Sequence, residues 1–102
     1  MMVHVLQMAE ADLADGYDFY ELQAPGVGTY FLDTMASELH SLRLYAGLHR
    51  KMHGYYRMIS RRFPYAVFYK MVSDGVEVWR VLDCRRDPRW ITRQLKSGRR
   101  VV

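Results

Sequence analysis

The chain has 102 residues but only one cysteine, Cys84, and no long apolar run. A single cysteine cannot form an internal disulfide, and this usage is typical of a reducing compartment, so we expect a cytoplasmic protein. No stretch of about 18 uninterrupted apolar residues occurs, so we expect no transmembrane helix. The first residues, MMVHVLQMAEADLAD, lack a basic region and become acidic at Glu10, so we do not expect a signal peptide.

Common catalytic motifs are also missing. The sequence contains no GxxxxGK[ST], GxGxxG, HExxH or GxSxG pattern, which argues against the nucleotide-binding, zinc-protease and hydrolase classes that carry them. His49 and His53 are four residues apart and could bind a metal from one helical face, but Gly47 and Gly54 bracket them and no second ligand pair follows. Cys84 has arginines beside it, yet a single cysteine at a strand end is more commonly an inert buried thiol. We therefore expect no metal ion and no cofactor.

Basic residues are scarce in the first half of the chain and abundant in the second. Residues 1–48 carry seven acids and one base, a net charge of −6, whereas residues 49–102 carry fourteen bases and four acids, a net charge of +10. This asymmetry predicts an electropositive surface and a polyanionic or acidic partner, such as nucleic acid, the ribosome or an acidic protein segment. A solvated basic surface without a specific partner is the alternative.

Hydrophobic periodicity predicts two helices in the acidic half. The apolar positions that share one helical face are Ala9, Leu13, Tyr17 and Tyr20 in the first helix and Val27, Phe31, Met35, Leu39 and Leu42 in the second. The sequence APGVG at 24–28 separates them, so the two helices should pack as an antiparallel hairpin. Gly16 is predicted to mark close packing, and Gly47 is a candidate helix C-cap.

The second half is rich in strand-forming residues. The predicted strands are residues 3–7, 55–59, 65–71 and 76–82, and a short C-terminal helix is predicted at residues 90–96. Pro64 suits the start of a strand, and Ser73-Asp74-Gly75 suits a hairpin turn. The predicted fold is α+β with the order β-α-α-β-β-β and a short C-terminal element. Its antiparallel sheet packs against the N-terminal helix hairpin, with residues 65–69 in the central strand. Residues 1–96 form one domain, and residues 97–102 form a basic flexible tail.

The bases and histidines of the second half fall in three clusters that suit the capture of phosphate or carboxylate. They are His49, Arg50, Lys51, His53 and Arg57, then Arg61 and Arg62, then Arg85, Arg86 and Arg89. Adjacent antiparallel strands place the start of one beside the end of the next, so the second and third clusters should converge at one edge. Tyr55, Tyr56 and Trp90 could stack on nucleic-acid bases. Alternatively, Trp90 closes the core, and Arg61 and Arg62 pair with acids of the first helix.

Three segments, DLADGYDFYELQAPGVGTYFLDTMASELHSL, RRFPYAVFYK and VEVWRVLDCRRDPRW, resemble the RelE/ParE superfamily of type II toxin–antitoxin toxins. The similarity spans roughly residues 9–91, and it depends on the order and spacing of the segments rather than on any one of them. It implies a compact β-α-α-β-β-β domain that arrests growth in the bacterial or archaeal cytoplasm. It also implies a cognate antitoxin, encoded beside the toxin, that wraps around it and neutralises it in a hetero-oligomer.

The resemblance leaves two mechanisms. RelE-like members cut mRNA in the ribosomal A site with basic residues on the central strands and a C-terminal tyrosine or histidine. The corresponding positions here are Ala66, Asp83 and Trp90, which differ from that set. ParE-like members block DNA gyrase through protein contacts and need no such set. A ParE-like toxin is therefore the predicted function.

The alternative is a RelE-like, ribosome-dependent mRNA endoribonuclease. In that reaction the RNA 2′-hydroxyl attacks its own phosphate, and the protein supplies charge stabilisation and proton transfer. Its candidate catalytic residues are Arg85, Arg86 and His53. The candidate binding residues are Arg50, Lys51, Arg57, Arg61, Arg62, Arg89 and Trp90. A third reading is a degenerate homologue that retains only antitoxin binding.

Overall fold

The computed structural model describes residues 1–99 and contains five strands and three helices. In chain order these are β1 (Met2–Val5), α1 (Gln7–Gln23), α2 (Val27–Tyr45), β2 (Arg50–Met52), β3 (Tyr55–Ile59), β4 (Tyr65–Val72), β5 (Gly75–Asp83) and α3 (Pro88–Arg99). The predicted α+β class, the helix hairpin and the three successive strands are confirmed. Within the described residues, no helix is both long enough and apolar enough to cross a membrane.

The five strands form one sheet in the order β1-β5-β4-β3-β2, so β4 is the central strand, as predicted. Strands β2 to β5 are antiparallel to their neighbours, but β1 runs parallel to β5, with Val3 opposite Val76. The sheet is therefore mixed rather than antiparallel. A Cβ on Gly75 would collide with the backbone of Met2, so the glycine allows the close approach of β1.

The central strand is buried on both faces because a different helical layer covers each one. Val67 and Tyr69 pack towards α1 and α2, together with Phe31 and Met35. The alternate residues Ala66 and Phe68 pack towards α3, in a smaller cluster with Tyr55, Leu82 and Leu95. The apolar run in RRFPYAVFYK thus separates two cores, which explains why it shows no alternation of apolar and polar residues.

The turn of the helix hairpin is held by one acidic side chain. The Glu21 carboxylate accepts hydrogen bonds from the backbone N–H groups of Gly26 and Gly28, at 3.0 and 2.9 Å. Gly26 has a φ of 90°, a conformation that favours glycine. A Cβ on Gly16 would lie 2.6 Å from the Phe31 ring, which confirms the predicted close packing of α1 against α2.

Two regions differ from the sequence-based expectation. The segment around His49 and His53 forms β2 and the turn to β3, with His53 at a φ of 54°, so the two histidines do not share a helical face. The C-terminal helix begins at Pro88 and continues to Arg99, three residues into the segment predicted as a flexible tail. The remaining tail residues, 100–102, lie outside the described part of the chain.

Candidate functional site

The segment before β4 and the segment after β5 meet as predicted. Tyr65 lies opposite Asp83, and the backbone N–H of Cys84 donates to the Pro64 carbonyl at 2.7 Å. The side chain of Arg62, however, turns towards α2, where its Nη1 donates to the Tyr30 hydroxyl at 2.8 Å.

Arg61 is also tied to α2, through its backbone. Its N–H donates to Glu38 Oε2 at 3.0 Å. Within residues 1–99, neither Arg61 nor Arg62 forms a salt bridge with an acid of the first helix. The alternative explanation of these two arginines by pairing with α1 is therefore wrong.

Arg85 is held by the carboxylate two residues before it. Its Nη2 and Nε atoms donate to Asp83 Oδ2 and Oδ1 at 2.8 and 3.0 Å, and its guanidinium lies 5.8 Å from the centre of the Phe19 ring. Burial alone would raise the pKa of Asp83, but the hydrogen bonds and charge of Arg85 outweigh burial and lower it. The same contact raises the pKa of Arg85. Arg85 is therefore a paired cation that faces the helix hairpin.

Arg86 lies two residues before α3, and Arg89 lies in the first turn of that helix. The Arg86 guanidinium stacks 3.8 Å from the centre of the Trp90 ring, a cation–π contact. Trp90 is half-buried and packs against the smaller core cluster, so it both closes that core and supports Arg86. Arg89 is largely exposed and pairs with Asp87 at 3.1 Å. Of the third cluster, Arg86 is the arginine that forms no salt bridge with a carboxylate among residues 1–99, although its charge helps to lower the pKa of Asp83.

One buried ion pair joins α1 to β5. Arg80 donates from Nε and Nη2 to both oxygens of Asp12 at 2.7 and 2.8 Å, and the Val81 N–H donates to the same carboxylate at 2.9 Å. Arg80 Nη1 donates to Gln94 Oε1 at 2.9 Å, which adds α3 to the network. Sequence reasoning missed this pair. Arg80 interrupts the apolar run VEVWRVL, and this was the available signal.

A pocket of about 210 Å³ opens between the sheet and the N-terminal part of α3. Its polar wall contains His53, Arg57, Cys84 and Thr92. His53 Nε2 lies 3.2 Å from the Thr92 hydroxyl, and Arg57 lies close enough to Cys84 for its charge to act on the pKa of the thiol. Burial raises the pKa of the Cys84 thiol although Arg57 opposes the shift, so Cys84 is not an activated nucleophile. The rest of the wall is apolar: Met52, Phe68, Leu82, Pro88 and Ile91.

The other cations of the first basic cluster, Arg50 and Lys51, lie on the edge strand β2. Arg50 is exposed and lies opposite Arg57 in the β2–β3 pair. The Lys51 ammonium lies 4.9 Å from the centre of the Tyr56 ring, which stacks on Tyr69. Arg50 therefore lies on the face of the sheet that carries the pocket, whereas Lys51 lies on the opposite face, towards α1 and α2.

His49 lies elsewhere, against the buried end of β4. Its Nδ1 is 2.6 Å from the Tyr69 hydroxyl, which also accepts the Gly47 N–H at 2.9 Å. Burial lowers the pKa of His49 and raises that of Tyr69, so both groups favour their neutral forms. This contact anchors the loop after α2.

A second, larger groove of about 560 Å³ lies between α2 and β3. Three exposed apolar side chains line it: Tyr45, Leu48 and Ile59. Glu38 and Arg61 supply charge at its wall, and Glu38 Oε1 is buried without a hydrogen-bond partner among residues 1–99. Exposed apolar surface that lines a groove is typical of a protein-docking site.

The structure does not unite the three candidate catalytic residues. His53 faces the pocket beside α3, Arg85 pairs with Asp83 over the helix hairpin, and Arg86 stacks on Trp90. Arg57, assigned only to binding, is the arginine that shares a pocket with His53. Within residues 1–99 no group of three or more histidine, cysteine or acidic side chains is arranged to hold a metal ion.

Comparison with known proteins identifies the family. Residues 3–88 match the family model described as the ParE toxin of the type II toxin–antitoxin system, parDE. Among solved structures, the fold is similar to a chain of the chromosomal ParDE toxin–antitoxin system from P. aeruginosa, with a TM-score of 0.72 and 17% sequence identity. That similarity covers 79% of this chain and 92% of the other. A search of curated proteins finds no match.

The family model covers most of the chain, so the protein belongs to the ParE toxin family. It is the toxin of a type II toxin–antitoxin module, as the resemblance of its three segments implied. The structural similarity confirms the α+β fold of that family.

Proposed function

We propose that this toxin arrests growth in the cytoplasm by binding DNA gyrase through protein contacts, without cutting nucleic acid. The separation of the candidate catalytic residues supports this proposal most directly. A nuclease requires a proton-transferring group and a phosphate-binding cation around one reacting phosphate. Arg85 is instead neutralised by Asp83, and Arg86 is stacked on Trp90.

The ribosome-dependent endoribonuclease remains a second candidate because of one observation. His53 and Arg57 line the same pocket, so a histidine and a guanidinium are available at one place. In such a reaction His53 would transfer the proton and Arg57 would stabilise the charge that develops on the phosphate. The endoribonuclease therefore requires His53 for mRNA cleavage, whereas the gyrase-binding toxin requires no proton-transferring residue.

We also propose that the cognate antitoxin docks along the groove between α2 and β3. The exposed Tyr45, Leu48 and Ile59 suit the apolar face of an inserted segment, and the neighbouring Arg61 suits its acidic residues. Docking there would produce the toxin–antitoxin hetero-oligomer that is typical of such modules. In a pull-down with the antitoxin, Leu48→Asp should reduce capture, whereas Leu22→Asp, a change at an exposed leucine of α1 outside this groove, should not.

A paired assay tests the target. Purified toxin is added to a gyrase supercoiling reaction and to a cell-free translation reaction in which mRNA ends are mapped on stalled ribosomes. We expect a loss of supercoiling and intact mRNA, and we expect the His53→Ala variant still to inhibit gyrase. Codon-phased mRNA cuts that disappear in His53→Ala, together with normal supercoiling, would contradict the proposal and establish the endoribonuclease.

A further inference from the structure

The pocket beside α3 contains an arginine without an anionic partner. Arg57 is half-buried, and no carboxylate among residues 1–99 lies within ion-pair distance of its guanidinium. Its neighbour Cys84 offers at most a weak sulfur acceptor to a guanidinium that carries five N–H donors. No acidic residue lines the pocket. Among the residues whose burial the structure describes, Arg80 is the more buried arginine, and it donates to both oxygens of Asp12 and to Gln94, whereas Arg57 has no such acceptor.

The walls of the pocket indicate the rest of the ligand. The pocket holds about 210 Å³, below the roughly 300–1,000 Å³ of a site for a drug-sized molecule. It therefore suits one side chain of a partner. Its apolar wall, which includes Phe68, Leu82 and Ile91, would stabilise a hydrocarbon body next to the anionic group. A phosphodiester would place polar sugar oxygens against that wall and lose their hydration without compensation.

We infer that this pocket binds a carboxylate carried on an apolar body, and that the occupant is an acidic, apolar-anchored residue of the toxin's protein target. Arg57 forms a bidentate pair with the carboxylate, Thr92 and His53 bound the polar side, and the apolar wall takes the hydrocarbon portion. The assignment of the occupant to the target depends on the proposed function, whereas the ligand chemistry depends on the pocket alone.

The ligand chemistry is tested with small probes on the full chain. Benzoate, its uncharged analogue benzamide, and inorganic phosphate are titrated into the protein while backbone amide shifts are followed by NMR. We expect benzoate to shift the backbone amide signals of Cys84 and Thr92, and to bind at least about 10-fold more tightly than benzamide, since hydrogen bonds to an ionised acceptor are stronger than those to a neutral one. Arg57→Met should abolish this preference. Arg93→Met, which removes an exposed arginine of α3 outside the pocket, should retain it.

Three results would overturn the ligand assignment. These are benzoate binding that Arg57→Met leaves unchanged, shifts that occur away from the pocket, and phosphate binding as tight as that of benzoate. Arg57→Lys keeps the charge but loses the bidentate geometry, so it should bind benzoate with intermediate affinity. For each variant, amide signals outside the pocket that match those of the wild type serve as the control for correct folding.

The occupant is tested in the supercoiling assay. If the wild-type toxin inhibits gyrase, Arg57→Met should weaken inhibition by about 10-fold or more, while Arg93→Met should not. Undiminished gyrase inhibition by Arg57→Met would refute the assignment of the occupant to the target. A variant that binds the antitoxin more weakly but still inhibits gyrase fully would refute it as well. If the wild-type toxin does not inhibit gyrase, the proposed function fails, and the benzoate titration still decides the chemistry of the pocket.

Discussion

Replacing Asp12 by alanine removes the carboxylate that joins α1 to β5. That carboxylate accepts three hydrogen bonds, two from Arg80 and one from the backbone N–H of Val81. The side chains of the pair are only 8% and 11% exposed. In the variant, the Arg80 guanidinium keeps Gln94 as a partner but stays buried without a counter-charge. Water cannot readily replace the lost acceptor at this degree of burial, so the cost should approach that of an unpaired buried charge.

The expected loss in the free energy of unfolding is about 3–5 kcal/mol, the range for removal of one member of a buried ion pair. A domain of this size has a total stability of roughly 5–15 kcal/mol, so the variant should be much less stable. Asp12→Asn retains one acceptor oxygen and should lose less. The double variant Asp12→Leu/Arg80→Met removes both charges and should lose less than the sum of its two single variants, by about 2–3 kcal/mol.

Urea denaturation followed by circular dichroism measures these free energies. The matched control is Asp18→Ala, which removes an exposed acid of the same helix and should change stability by less than about 0.5 kcal/mol. Equal effects of Asp12→Ala and Asp18→Ala would refute the reasoning, because Asp12 would then contribute no more than a surface acid. Strict additivity in the double variant would refute the coupling between the two charges.

Three further changes test the packing and the charges around the site. Gly16→Ala places a methyl group 2.6 Å from the Phe31 ring. Thermal melts should therefore show a loss of about 1–3 kcal/mol in the free energy of unfolding, despite the better helix propensity of alanine. A variant more stable than the wild type would contradict this. The pKa of Asp83 is lowered by Arg85, so its contribution to stability is present above the ordinary carboxyl pKa and is lost as pH falls through the lowered value. The wild type should therefore exceed Asp83→Asn in urea denaturation at neutral pH but not in strong acid, and a constant difference would argue against the shift. Tyr69→Phe removes the hydroxyl that the loop after α2 bonds, and should cost about 1 kcal/mol by the same method, whereas no change would show that the loop is held by other contacts.

Much of the fold could be predicted because its signals are local. Helix α2 (Val27–Tyr45) follows from one apolar stripe, and the hairpin at Asp74 and Gly75 follows from turn chemistry. The strand β2 was missed because it has three exposed residues and no apolar pattern. Its pairing with β3 is visible only once the backbone hydrogen bonds are known.

The candidate site was harder to predict because side-chain direction decides it. The register between β4 and β5 shifts between Phe68 and Tyr69, where β5 has one additional residue, Trp79, so that Val78 and Val81, three residues apart, face the same core. Strict alternation does not allow this arrangement. The direction in which each charged residue of β5 points therefore could not be read from its position in the sequence.

The sequence by itself determined the helices, the central strand, the order of elements and the basic character of the second half, because these depend on short-range periodicity, turn residues and composition. Only the tertiary structure decided which charges are neutralised and which are available. Arg80 and Arg85 are bonded to carboxylates, whereas Arg57 faces a pocket without one. The Asp12–Arg80 pair joins residues 68 positions apart, and such pairing depends on how helices and strands pack, which neighbouring residues in the sequence do not encode.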